Sequence, residues 1–175
     1  MSRAVRNPKP LRPALLGAAL MSLSACATLA LGDRVSDQQL TAALTEFREE
    51  ARGEVALYEL ELEPVRAPES STQEIEIREG GPHPGQWLNE ALDTGLADSI
   101  CGESDECEAS LSMTVVSFSK PYRAREGVFV DARSQSVTDT GYGTVRTTRF
   151  SRLTIAEGQG GWRVIAKTPL WETSG

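Results

Sequence analysis

The chain has one histidine, three cysteines, and few aromatics: three tryptophans, three tyrosines and four phenylalanines in 175 residues. The lone His83 sits between two prolines and gives poor support for a Ser-His-Asp triad. A zinc site of ordinary type would need more Cys or His at defined spacing. There is no glycine-rich phosphate motif, which sets the nucleotide-dependent enzymes aside. Lysine and arginine never cluster around aromatics, and nucleic acid is excluded as a partner on that ground. The longest N-terminal apolar stretch, Ala14 to Ala25, holds twelve residues where a membrane-spanning helix needs roughly 20.

What is present begins with that stretch. Arg3, Arg6, Lys9 and Arg12 precede it with no acidic residue among them, the basic and then apolar order of an export leader. It ends in Leu23-Ser24-Ala25-Cys26. This tetrapeptide resembles the lipobox of bacterial lipoproteins, in which the cysteine thiol is acylated and becomes the first residue of the mature chain. The resemblance implies a signal peptide over 1–25 and lipidation at Cys26. It also implies a permanent hold on the membrane, since one acyl chain anchors marginally and two or more anchor stably. Ala27, in place of Asp after the cysteine, implies the periplasmic face of the outer membrane in a Gram-negative cell. An ordinary signal peptide cleaved nearby, with Cys26 incidental, is the competing reading.

Removal of the leader leaves 14 basic groups against 25 acidic, a net charge of −11. The charge is divided unevenly. Cys26 to Ser110 carries 5 basic and 20 acidic groups, and Leu111 to Gly175 carries 9 basic and 5 acidic. Such asymmetry marks either an interaction surface or a solvated acidic face. With Cys26 lipidated, Cys101 and Cys107 form an even pair in an oxidising compartment, and a disulfide closing their short loop would stabilise by about 2.4 kcal/mol in the chain-entropy model. A metal bound by the two thiols with Glu103, Asp105, Glu106 or Glu108 is the alternative; no cofactor is otherwise implied.

Periodicity predicts one domain over 36–175, after a tether over 26–35. Ser36 and Gln39 have the spacing of a helix start, and Leu40, Ala43, Leu44, Phe47 and Ala51 recur on one helical face up to Gly53. Ala56, Tyr58, Leu60 and Leu62 alternate as the inward side of a strand ending at Pro64, and Gln73 to Arg78 alternates again. Gly80 to Pro84 reads as irregular. Trp87, Leu88, Ala91, Leu92, Leu96 and Ile100 form the stripe of a second helix. Strands follow: Leu111 to Phe118 with a bulge near Val115, Val128 to Ala132, Thr144 to Ala156, and one from Trp162, with Ser134 to Gly143 as turns and Thr168 to Gly175 as a tail. The expected fold class is α+β: an antiparallel, curved sheet of about six strands with two helices on one face.

Arg152-Leu153-Thr154-Ile155, a Gly-rich turn and Gly161-Trp162-Arg163-Val164-Ile165 are similar to the C-terminal strands of the nuclear transport factor 2 superfamily, which includes ketosteroid isomerase-like enzymes. That resemblance implies a sheet closing over an apolar pocket, with a carboxylate such as Asp131 and a phenol such as Tyr58 or Tyr142 as base and oxyanion donor. Two functions are therefore expected: an envelope lipoprotein that binds a partner or scaffolds without catalysis, or, as the alternative, a pocket protein that binds or isomerises a small apolar ligand. Arg146, Arg149 and Arg152 are the candidate anion or partner-binding residues. Spaced three apart, they cannot share one face of a regular strand, so the strand is bulged or one arginine points inward onto a carboxylate.

Overall fold

The computed structural model describes residues 21–64, 78–102 and 108–175, with side chains from residue 34 onward. The chain divides into two units, Met1–Arg34 and Val35–Gly175, and the second holds the sheet. The first helix, α1, runs Met21–Glu50 and stops before Gly53. Ser36 therefore lies inside it and caps nothing. The Ala- and Leu-rich segment ahead of Ser36 offers no breaker other than Gly32, and good helix formers carry the helix through.

The next stretch separates into β1 (Glu54–Tyr58) and β2 (Leu60–Leu62). β2 pairs antiparallel with β3 (Glu79–Pro82), so the segment expected to be irregular is half of a small two-stranded sheet. The expected strand over Gln73 to Arg78 lies outside the described residues save Arg78. Pro84 then takes the N-cap position of α2, Gly85–Asp93. α2 is shorter than its apolar stripe predicts. Thr94 closes it and Gly95 follows at φ +72°, a left-handed conformation that suits a residue with no Cβ, so Ile100 belongs to a strand, β4 (Ser99–Cys101). The remaining strands are β5 (Met113–Phe118), β6 (Tyr122–Ala124), β7 (Gly127–Asp139), β8 (Thr144–Gly158) and β9 (Gly161–Ser174).

The main sheet has seven strands in the order β4-β1-β5-β7-β8-β9, with β6 added on β7. It is mixed. β1 runs parallel to both β4 and β5, while the pairs from β5 to β9 are antiparallel. The expectation of one antiparallel sheet of about six strands is thus corrected in strand count, in direction and by the separate β2–β3 sheet. Parallel neighbours need a long crossover, and the segment holding β2, β3 and α2 supplies it between β1 and β4.

Both helices pack on one face of the main sheet. Leu40, Ala43, Leu44 and Phe47 of α1 and Trp87, Leu88 and Ala91 of α2 meet Val55, Leu57, Val116, Phe118, Val130, Ala132, Leu153 and Ile155. Each large side chain buried there stabilises by about 1.5 to 3 kcal/mol. Phe118 sits edge-on to Phe47 and to Trp87, with centroids 5.6 and 6.5 Å apart, and the Trp87 indole donates to Thr41 at 3.2 Å. Ala56, Tyr58, Cys101, Ala109, Met113, Val115 and Val137 form a second cluster. The inward set of β1 is accordingly Val55 and Leu57 on the helix face, not the predicted Ala56 and Tyr58. No register break occurs in β5: Val115, Val116, Ser117 and Phe118 are consecutively buried because both faces and both edges of that strand are covered.

The antiparallel part outgrows its cover. β7, β8 and β9 have 13, 15 and 14 residues, so each extends roughly 44 Å or more, whereas nine-residue α2 is about 13 Å long. Of the predicted turns over Ser134 to Gly143, only 140–143 is a turn, and Ser134 to Asp139 continues β7; the predicted tail over Thr168 to Gly175 is strand as far as Ser174. β9 forms an outer edge of the sheet, and it carries extra residues against β8 between Phe150/Ser151 and Thr154/Ile155, together with Pro169. Bulges and proline blunt an edge against pairing with other chains.

Candidate functional site

Three places gather chemistry. The first is Asp131, the carboxylate expected to act as a base. It lies on β7 opposite Arg152 of β8 in the cross-strand register, on the face away from the helices, and is fully buried. Arg152 donates from Nε to Oδ1 at 2.8 Å and from Nη2 to Oδ2 at 3.0 Å, the bidentate fork of a strong ion pair. The Tyr122 hydroxyl donates to both oxygens at 3.1 Å. Arg152 lies over the rings of Tyr122 and Phe129, 5.7 and 6.0 Å from their centroids. Burial and the Asp131 charge push the Tyr122 phenol up to about 12, and the hydrogen bond with Asp131 raises Arg152 above its ordinary value. Both shifts hold protons where they are. The phenol on Asp131 is thus Tyr122; of the two expected, Tyr142 is fully exposed and Tyr58 is half-buried beneath the guanidinium of Arg133, 5.6 Å from the ring centre.

The three arginines are therefore on two faces. Arg152 is the inward one, and its carboxylate partner sits directly across the strand pair. Arg149 faces the helix side and pairs with Glu172 of β9 at 2.8 Å, whereas Arg146 reaches Glu108 at 3.0 Å. Each is matched to an acid of its own chain. The bulges that accompany this run are seen against β9; the β7–β8 register is unbroken from Val128 to Asp139.

The second place is His83. Its imidazole is 3% exposed and stacks at a tilt on Trp87, centroids 4.9 Å apart. Nδ1 stands 3.8 Å from Oε1 of Glu61, a residue that alternation placed outward but that is 5% exposed. Among the described residues neither ring nitrogen nor that oxygen has a partner in good hydrogen-bond geometry, the Phe118 backbone giving the ring only a weak contact, while Lys120 reaches the other Glu61 oxygen at 3.1 Å from the solvent side. Burial is the main force lowering the His83 pKa to about 4, with the Lys120 charge in the same direction and the Phe118 backbone opposing part of the shift. Among the described residues no group of three or more His, Cys, Asp or Glu could hold a metal ion. Cys101 is buried at the end of β4; Cys107, the partner expected from the sequence, lies outside the described residues, as does the side chain of Cys26.

The third place is a groove of about 870 Å³ that sequence reading missed. It lies on the helix face where the sheet runs past the end of α1. Phe47, Glu50, Ala51 and Arg52 form one wall, Ser110 to Thr114 another, and the floor is Ser134, Ser136, Thr138, Arg149, Ser151, Lys167 and Pro169. The signal that could have shown it is the change along each strand. Val130 and Ala132 give way to Ser134, Ser136 and Thr138 on β7, and Ile155 and Leu153 to Ser151 and Arg149 on β8, so one sheet face passes from core to polar surface. Lys167 lies 4.1 Å above the Phe47 ring and pairs with Glu50. No family model, curated protein or solved structure matches the chain.

Two outcomes test these assignments. Removing Asp131 leaves the Arg152 guanidinium without its partner, and breaking a buried pair from one side costs about 3 to 5 kcal/mol; Asp131→Ala should lose that much in urea unfolding, and a loss below 1 kcal/mol would show the pair to be dispensable. His83 binds its proton near pH 4 when folded and near 6.5 when unfolded, so the unfolded chain holds more protons between those values. Its stability contribution is complete above about pH 6.5 and is lost as pH falls toward 4, by about 2 to 3 kcal/mol at pH 4.5. His83→Leu should flatten the acid loss by that amount relative to the natural chain, and an unchanged pH profile would refute the sealed, neutral imidazole.

Proposed function

We propose that the chain is a lipid-anchored protein of a bacterial envelope, held through acylated Cys26 at the periplasmic face of the outer membrane, and that its folded domain binds a partner without catalysing a reaction. The anchor rests on the leader and lipobox in the sequence. The binding role rests on one observation: Asp131 and His83 are sealed in the fold, whereas an open groove with an unbonded hydroxyl floor faces solvent. Trp87 and Phe118, which would line the cavity of an isomerase-like protein, are packed into the core with Phe47.

The Cys101–Cys107 pairing belongs to the same reading, because export supplies the oxidant and the pair would tie the end of β4 to the approach to β5. Among the described residues no helix is long and apolar enough to cross a membrane. Membrane attachment then depends on lipid. Replacing Cys26 with Ser should leave an unprocessed precursor of higher mass; a variant cut normally and released into the periplasm would end the lipoprotein assignment. The purified natural protein should titrate no free thiol before reduction, and two reactive thiols in the native state would defeat the disulfide.

A further inference from the structure

We infer that the groove at the end of α1 is a binding site for an uncharged oligosaccharide, a ligand class that deepens the binding role proposed above and rests on it. Charge is the first argument. The protein is strongly acidic, yet the groove is balanced, with Arg52, Arg149 and Lys167 against Glu50, Asp139 and Glu172. Lys167 is tied to Glu50 and Arg149 to Glu172, so two of the three cations in the groove are already matched by acids of the chain. A neutral polar ligand leaves both pairs intact.

The floor is the second argument. Thr114, Ser134, Ser136, Thr138 and Ser151 line the groove, and none of their hydroxyls makes a hydrogen bond with another described residue. Ser151 is only 6% exposed as a residue, yet its hydroxyl is not sealed from solvent and opens on the groove, where a ligand hydroxyl can bond it.

Spacing separates a saccharide from a peptide. Side chains on a sheet face stand about 4.5 to 5.5 Å apart across strands and roughly 7 Å apart along one strand. Ser134, Ser136 and Thr138 follow one another at the second interval on β7, while Ser134 stands opposite Arg149 in the register. Every serine or threonine hydroxyl both donates and accepts. A sugar ring carries hydroxyls of the same double character around its rim. An extended peptide laid on this face would turn only part of its backbone groups toward the floor. The volume lies within the range of small-molecule sites, roughly 300 to 1,000 Å³, which accommodates a few sugar units.

The test uses the purified full chain in detergent, titrated by calorimetry with chitotetraose, with cellotetraose, and with an uncharged Ser-Gly-Asn peptide. At least one tetrasaccharide should bind saturably and more tightly than the peptide. Ser134→Val with Ser136→Val should weaken that binding roughly tenfold or more, with an unchanged far-ultraviolet spectrum. Should the double variant misfold, Ser151→Ala, which removes a single oxygen, should still weaken binding several-fold. A folded natural chain that binds neither saccharide, or binds the peptide more tightly, overturns the saccharide assignment while leaving the proposed binding role standing. Saccharide binding unaffected by both variants removes the groove as its site, and turnover of the saccharide would instead contradict the non-catalytic reading.

Discussion

Strand β1 lies parallel between β4 and β5, and the rest of the fold follows from that placement. A strand hydrogen-bonded on both edges and packed on both faces must be short and apolar on both sides, as Val55, Ala56 and Leu57 are, all fully buried. Parallel pairing also requires the chain to leave the sheet and return, and α2 with the small β2–β3 sheet forms that detour. Asp98 fastens its return, accepting from the Val55 amide at 2.8 Å and from Arg48 of α1 at 2.7 Å. One carboxylate thus joins the end of the crossover, the start of β1 and the last turns of α1.

Covering that centre consumes both helices, which explains why the longer strands are left uncovered at one end. The same face that buries Val130 and Leu153 under α1 and α2 presents Ser134, Ser136 and Arg149 beyond them. The groove therefore lies where the sheet continues beyond Glu50, the end of α1. Its polar floor is what keeps an uncovered sheet face compatible with water, and its small side chains give it depth.

The uneven charge of the two halves has a similar resolution. Lys167 pairs with Glu50, Lys120 with Glu61, Arg146 with Glu108, and Arg133 approaches Glu79 at 3.9 Å. Cations of the second half meet acids of the first across the fold. Much of what the sequence presents as a basic patch awaiting an outside partner is complementarity within the chain. Surface pairs of this kind are each worth about 0 to 1 kcal/mol, so they orient segments more than they stabilise them. The pair Asp131–Arg152 differs because one side is fully buried, and there the cost of separation is large.

Local pattern alone settled a good deal: the apolar faces of Leu40 to Phe47 and Trp87 to Ala91, the Gly-rich turn before Gly161, and the conflict among the three arginines of Thr144 to Ala156, which left a bulge or an inward arginine as the choices. These depend on residues within a few positions of one another, where periodicity and turn chemistry act. Strand direction does not. Val55 to Leu57 can be read as half-buried and antiparallel until their neighbours are known, since burial on both faces comes from β4, β5 and the helices together. Gly95 ended α2 against a continuing apolar stripe, because a left-handed residue stops a helix whatever follows it. Glu61 fell on the outward side by alternation and His83 in a segment read as irregular, and both are buried because β2 and β3 fold against each other beside Trp87. The groove was equally hidden. Its serines and threonines are ordinary surface residues one by one, and only the register of β7, β8 and β9 beyond the end of α1 brings them to a single floor.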